Sequence, residues 1–112
     1  MTDDQVASEL LKMAKKVLAA RLDLGRVVTT RGVNSEMKKD RDFARLVQKS
    51  LRRHTSGDWG ETNSSDAREN DEALKSGEDR IMSVYEGGSE GKFWIITEWD
   101  RSVTTVLYPS EY

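Results

Sequence analysis

Apolar and β-branched residues cluster most densely near the C-terminal end of the chain. Residues 93–98 and 103–108 are typical of strands, and Asp100-Arg101-Ser102 between them is typical of a turn. A three-residue turn predicts Thr97 opposite Thr105 and Ile95 opposite Leu107. One face then carries Phe93, Ile95, Trp99, Val103 and Leu107. Because the other face is also apolar, we expect this pair in the middle of a sheet, partly covered on both sides.

Two further strands are predicted. Residues 80–85 lead into the glycine-rich segment 87–91, which allows the chain to fold back and brings Tyr85 near Phe93. The result is an antiparallel meander over residues 80–108. Residues 24–30 form a fourth short strand, expected at an edge of the sheet if it joins.

Three segments show helical periodicity. Residues 2–21 carry an apolar stripe, and Thr2 with Gln5 fits a capping box. Residues 31–34 read as a turn, and Asn34 or Ser35 caps a second helix that runs to about residue 53. A third helix covers residues 66–76, capped by Ser64 or Ser65 and ended by Gly77. Its inward residues are Ala67, Asn70, Ala73 and Leu74, and Trp59 in the preceding loop is expected to plug the core.

These elements predict an α+β fold: an antiparallel sheet of three or four strands, with about three helices packed mainly on one face. The length of 112 residues favours one domain, residues 1–112, with an N-terminal helix (1–21) and a core (22–112). The chain has no Cys, which excludes disulfides and thiolate metal sites. No apolar run is long enough to span a membrane, and the acidic N-terminus does not resemble a secretory signal. A cytoplasmic location is therefore expected.

Charge is distributed unevenly along the chain. Residues 1–56 carry a net +6 and residues 57–112 a net −8, within a total of −2. The second predicted helix is strongly basic over residues 38–53, and such a helix can neutralise phosphates. The candidate nucleic-acid-binding residues are Lys38, Lys39, Arg45, Lys49, Arg52 and Arg53. The negative total charge and the lack of a helix-turn-helix signature favour the alternative of a solvated helix face.

The acidic half offers a candidate surface for a basic protein partner. Its residues, together with two from the last turn, are Asp66, Glu69, Asp71, Glu72, Asp100 and Arg101. The structural alternative is a solvated acidic helix, and a turn that Asp100 closes while Arg101 forms an ion pair. A homodimer through the N-terminal helix or the second sheet face is a further alternative.

One cluster has residue types suited to acid–base chemistry: His54, Asp58 and Glu61. A lone His without a second His or a Cys is a poor metal signature. His54 also follows Arg52 and Arg53 at a predicted helix C-terminus, where a cation is favoured for structural reasons. The sequence therefore predicts no metal site and no cofactor.

Several short segments, taken together, resemble a known family. They are Leu24-Gly25-Arg26-Val27-Val28, Gly57-Asp58-Trp59-Gly60, Asp71-Glu72-Ala73-Leu74, Trp94-Ile95-Ile96-Thr97-Glu98, Asp100-Arg101-Ser102, Thr104-Thr105-Val106-Leu107 and Pro109-Ser110-Glu111-Tyr112. Over about residues 22–112 the chain resembles small uncharacterised bacterial proteins labelled plasmid-related or restriction-enzyme subunits. The resemblance implies a gene carried on a plasmid, phage or other mobile genetic element. It implies no catalytic residue.

The sequence thus supports three hypotheses about function. The first is a non-catalytic protein-interaction module of a mobile genetic element that modulates a host defence system. The second is a nucleic-acid-binding protein that uses the basic helix. The third is a small metal- or His-dependent hydrolase or nuclease built on His54 and Asp58.

Overall fold

A computed structural model describes residues 22–112. Its sheet has the strand order β1-β4-β3-β2. The strands are β1 (Arg26–Thr29), β2 (Ile81–Glu86), β3 (Lys92–Thr97) and β4 (Val103–Leu107). The last three form the predicted antiparallel meander, and β1 lies at an edge as expected. However, β1 runs parallel to β4, so the sheet is mixed, and the prediction of a purely antiparallel sheet is wrong.

Three helices and a short 3₁₀ turn complete the described fold. They are α1 (Arg31–Lys39), α2 (Arg41–Thr55), α3 (Ser64–Ser76) and the turn Pro109–Glu111. Residues 31–34 begin a helix after Thr30, contrary to the predicted turn. Asn63 caps α3 in place of a serine, and Gly77 ends it with the predicted left-handed conformation, φ 71°. The predicted helix over residues 2–21 lies outside the described residues.

The single predicted helix over residues 34–53 is in fact two helices. Asp40 interrupts it in an extended conformation, with φ −129° and ψ 106°. Its carboxylate accepts hydrogen bonds from the amides of Asp42 and Phe43, at 3.0 and 3.1 Å. Its own amide donates to the Glu36 carbonyl. One residue therefore ends α1 and caps α2, a typical role for Asp at a helix N-terminus.

The β2–β3 register is as predicted, but the β3–β4 register is shifted by one residue. Tyr85 pairs with Phe93, whereas Ile95 pairs with Val106 and Thr97 with Thr104. The β3–β4 loop is longer than three residues, because the Glu98 amide bonds the Val103 carbonyl across the loop entrance. Since faces alternate with period two, the shift mixes the two predicted side-chain sets.

Trp99 is consequently not on the core face but in the loop, 63% exposed. The residue that sets the loop shape is Arg101. Its backbone φ of 61° is unusual for a residue other than Gly. Its guanidinium donates to the carbonyls of Ala73 at 2.9 Å and Asp79 at 2.6 Å. These contacts, one with α3 and one with the segment after it, hold the strained conformation in place.

The helices pack on one face of the sheet. Val33 of α1 and Phe43 and Val47 of α2 form one cluster with sheet residues, which are Tyr85, Phe93, Ile95, Val106 and Tyr108. A second cluster joins Leu22, Trp59, Ala73 and Ile81. Trp59 therefore fills the core, as predicted, and its indole nitrogen donates to Asp71 at 2.8 Å. Between residues 22 and 112, no helix has the length and apolar character needed to cross a membrane.

The outer edge of β2 is covered by non-strand groups. The side-chain amide of Asn70 donates to the Met82 carbonyl at 2.7 Å and accepts from the Met82 amide at 3.3 Å. The Glu61 amide donates to the Val84 carbonyl, and the Thr62 hydroxyl accepts from the Val84 amide. The backbone groups that a neighbouring strand would use are therefore occupied.

Candidate functional site

The exposed side of α2 carries a row of cations. Arg41, Arg45, Lys49 and Arg52 lie at positions i, i+4, i+8 and i+11, which share one side of a helix. We call these four residues the basic stripe. The buried α2 residues Phe43, Val47, Ser50 and His54 lie on the opposite side. The stripe therefore points away from the core and extends for about 16 Å along the helix axis.

Among residues 22–112, one anion forms an ion pair with the basic stripe. The nearest anion in an ion pair is Asp42, whose carboxylate lies 3.9 Å from the Arg45 guanidinium. Both side chains are largely exposed, so this pair is weak. All four stripe residues are exposed. The stripe is thus a local positive surface on a chain whose total charge is −2.

The other predicted nucleic-acid-binding residues do not join the stripe. Lys38 and Lys39 belong to the last turn of α1, on the other side of the break at Asp40. The Arg53 guanidinium forms two hydrogen bonds with Asp58, at 2.7 and 3.1 Å, and lies over the Tyr85 ring. The pairing lowers the pKa of Asp58 below its usual value. Arg53 therefore stabilises the loop after α2. Arg41 was not among the predicted residues, yet it completes the row.

His54 lies at the centre of a buried polar chain, not at a solvated helix end. Its side chain is fully buried, with Nδ1 hydrogen-bonded to the Ser83 hydroxyl and Nε2 2.9 Å from the Thr97 hydroxyl. Thr97 continues to Thr104 at 2.7 Å, and Thr104 donates to the Leu24 carbonyl. This series of hydrogen bonds therefore connects α2 to three strands and to the segment before β1.

The environment of His54 keeps its imidazole neutral. Burial lowers the pKa of His54 to about 3, and the positive charge of Arg101 acts in the same direction. A neutral ring has one donor and one acceptor nitrogen, and each nitrogen here faces a hydroxyl that can take the complementary role. His54 is thus satisfied inside the core and has no exposed surface on which a substrate could bind.

Asp58 and Glu61 do not share the surroundings of His54. Both are exposed, and Asp58 is held by Arg53 and by the Gly60 amide. Within residues 22–112, no group of three or more His, Asp or Glu side chains is arranged to hold a metal ion. The structure therefore directs the members of the predicted catalytic cluster to different environments.

The predicted partner-binding residues divide into two groups. Asp66, Glu69 and Glu72 project from α3 beside a groove that Asp79 and Arg80 also line. The Asp71 carboxylate accepts a hydrogen bond from the indole nitrogen of Trp59. In the last turn, Asp100 accepts from the amide and hydroxyl of Ser102, which lowers the pKa of its carboxyl. The Arg101 guanidinium donates hydrogen bonds to backbone carbonyls, including that of Ala73 in α3. Among the described residues it pairs with no carboxylate, so the predicted ion pair is absent there.

Sequence reasoning did not identify the partners of His54. Ser83 and Thr97 each occupy an inward position in a strand that otherwise presents apolar residues to the core. That interruption of the apolar pattern is the available signal, since a buried hydroxyl requires a hydrogen-bond partner. Comparison with protein-family models, curated proteins and solved structures gives no match.

Proposed function

We propose that this protein is a non-catalytic interaction module that binds the phosphate backbone of a nucleic acid through the basic stripe. The observation that carries the proposal is the alignment of Arg41, Arg45, Lys49 and Arg52 on one exposed side of α2. Four cations in a row can each neutralise a phosphate and release counterions, which gives affinity without reading the base sequence.

The internal use of the other polar side chains supports a binding role without catalysis. His54 has no exposed surface, Asp58 is paired with Arg53, and Arg101 holds the end of α3. A general base must reach the proton that it removes from a substrate. A buried His without an adjacent carboxylate is poorly suited to that task.

Salt-dependent binding to duplex DNA and duplex RNA tests the proposal. Wild-type protein is titrated against a fluorescently labelled duplex at several salt concentrations. We expect the logarithm of the binding constant to fall linearly with the logarithm of salt, by about 0.9 per phosphate contacted on DNA. A variant with Arg41, Arg45, Lys49 and Arg52 all changed to Gln should bind at least about tenfold more weakly and show a flatter slope.

The matched control removes the same number of exposed cations elsewhere, by changing Arg26, Arg68, Lys75 and Lys92 to Gln. Both variants have the same net charge, so a general electrostatic effect would weaken them equally. Equal weakening, or no binding by wild type, contradicts the proposal. Circular dichroism confirms that both variants are folded.

A protein partner is the second candidate, and the acidic side of α3 favours it. In the lining of one groove, the four acidic residues Asp66, Glu69, Glu72 and Asp79 outnumber the two cations Arg68 and Arg80. Such a surface is complementary to a basic protein patch. Capture of one defined basic protein that survives nuclease treatment, and is lost when Asp66, Glu69 and Glu72 become Gln or Asn, would support this candidate over nucleic acid.

The resemblance to small plasmid-related proteins motivates the biological hypothesis that the module serves a mobile genetic element by modulating host defence. Binding to nucleic acid or to a nucleic-acid-binding host protein is compatible with that role. The hypothesis predicts that expression of the protein changes the efficiency of restriction or of a related defence against incoming DNA. An unchanged efficiency would contradict it.

A further inference from the structure

The two edges of the sheet differ in what covers them. Arg26 and Thr30 direct their amides inward to the Ser102 and Val106 carbonyls, each at 3.0 Å. Because alternate residues of a strand face opposite edges, the backbone amides and carbonyls of Val27 and Thr29 point outward. Among the described residues, no backbone group pairs with them, and the Val27 side chain is 44% exposed.

The opposite edge, formed by β2, cannot accept a strand. Asn70 occupies the outward amide and carbonyl of Met82, and the segment 60–62 occupies those of Val84. A head-to-tail contact of β1 on the β2 edge of another copy would extend into a filament. The covered β2 edge prevents that contact, so within this sheet β1 is the edge through which two copies can pair.

We infer that β1 pairs antiparallel with β1 of a second copy, centred on Val28, to form a continuous eight-stranded sheet. A two-fold axis at Val28 places Val27 opposite Thr29 of the second copy. Their outward amides and carbonyls then form a hydrogen-bonded pair, and the same pair repeats on the other side of the axis. Every outward backbone amide and carbonyl of Val27 and Thr29 thus finds a partner in the other copy.

The charges around β1 fit this register. Arg26 lies opposite the neutral Thr30 of the second copy, so no like charges face each other. An antiparallel pair also brings the start of one strand beside the end of the other. Asp23 lies just before β1 and Arg31 just after it, and both are exposed, so the antiparallel pair places an acidic residue of one copy at the same end of the seam as a basic residue of the other. A second copy supplies this opposite charge at both ends of the seam, whereas an arbitrary strand need not.

Cross-linking through a single cysteine tests the register, because the chain contains no Cys. In the Val28→Cys variant, the two sulfur-bearing residues face each other across the axis, at a Cα separation of about 4.5 Å expected for a non-hydrogen-bonded pair. That separation allows a disulfide. The matched control is Thr105→Cys, since Thr105 pairs with Val28 on the same sheet face but lies one strand further from the axis.

We expect mild oxidation to convert Val28→Cys, but not Thr105→Cys, into a covalent dimer on a non-reducing gel. Light scattering of the wild type should give a mass near twice 12.7 kDa at high concentration. Val27→Lys, which places a charge at the paired edge, should remain monomeric. The inference is overturned if the wild type is monomeric throughout the concentration series. It is also overturned if a dimer survives Val27→Lys, or forms through Thr105→Cys and not Val28→Cys.

Discussion

A single buried histidine joins the helix layer to the sheet. His54 contacts Ser83 on β2 and Thr97 on β3, and Thr97 passes the chain of hydrogen bonds to Thr104 on β4. A protonated imidazole would have two donors and a charge that the apolar surroundings do not solvate. The neutral ring therefore forms part of the folded state, and protonation opposes folding.

This arrangement predicts acid sensitivity. The pKa of His54 is about 3 in the folded protein and 6.5 in a model peptide, so the unfolded chain binds the proton first as the pH falls. The stabilising contribution is complete above pH 6.5 and is lost between about pH 6.5 and 3, by at most about 1.4 kcal/mol per pH unit. Urea denaturation across this range measures the free energy of unfolding.

The variant His54→Gln provides the control for acid sensitivity. It should be less stable than the wild type at pH 7, because it disturbs the buried chain, but its stability should change less between pH 6.5 and 4.5. The pairing with Arg53 holds the pKa of Asp58 below its usual value, and therefore below that window, in both proteins. Parallel pH profiles for the two proteins would rule out His54 as the source.

The local sequence around His54 suggested a different environment. It follows Arg52 and Arg53 at the end of α2, where a solvated cation is common. Its real partners lie 29 and 43 residues further along the chain, and neither is adjacent to a recognisable motif. Local patterns identify helix ends well, but they do not show which side chains meet after the helix packs on the sheet.

At the scale of elements, the edge of β2 depends on one side chain. Asn70 is 5% exposed and acts as a substitute strand for Met82. Asn70→Ala leaves a partly buried amide and carbonyl unpaired, and we expect a loss of about 1–3 kcal/mol in the free energy of unfolding. The uncovered edge should also make the variant more prone to aggregate.

Chemical denaturation and light scattering during prolonged incubation measure these two effects. Asn34→Ala on α1 is the matched control, because Asn34 is exposed and should change stability by less than about 0.5 kcal/mol. If Asn70→Ala behaves like this control in both measurements, the edge of β2 does not depend on Asn70.

Which elements were predictable depended on how local their determinants are. The β2–β3 hairpin follows from a glycine-rich turn and alternation on both sides, and its Tyr85–Phe93 pair was predicted correctly. The β3–β4 register was not, because Arg101 adopts a positive φ that distant carbonyls of Ala73 and Asp79 stabilise. The basic character of residues 38–53 was recognised, but the division of this segment into two helices by Asp40 was not. An Asp within a charged run is a weak cap signal.

At the scale of the whole molecule, the sheet combines local and distant pairings. The turn between β2 and β3 is short, whereas β1 reaches β4 across the length of the described fold; Arg26 pairs with Val103. The parallel direction of β1 was not predictable, since its four residues carry no signal for the orientation of a partner. Closing the longer loop costs more chain entropy before any contact forms.

We therefore predict that β1 joins the sheet after the hairpin during refolding from denaturant. Pulse labelling with hydrogen exchange should show amides in β2 and β3 protected before two amides directed at β4, those of Val28 in β1 and of Thr30 just after it. The hairpin serves as the internal reference in each sample. Protection of β1 and the hairpin at the same rate would indicate one concerted step.

The connection between β1 and β4 has a further consequence when the chain is made in the cell. A ribosome completes β1 well before β4, because Val103, the partner of Arg26, emerges 77 residues after it. At about 5–20 residues per second, β1 waits roughly 4–15 seconds for its partner strand. Until β4 is made, the edge of β1 that β4 later occupies is uncovered, and chains made side by side on one message can meet there. For this protein, the timing of synthesis thus bears on which strand β1 encounters first.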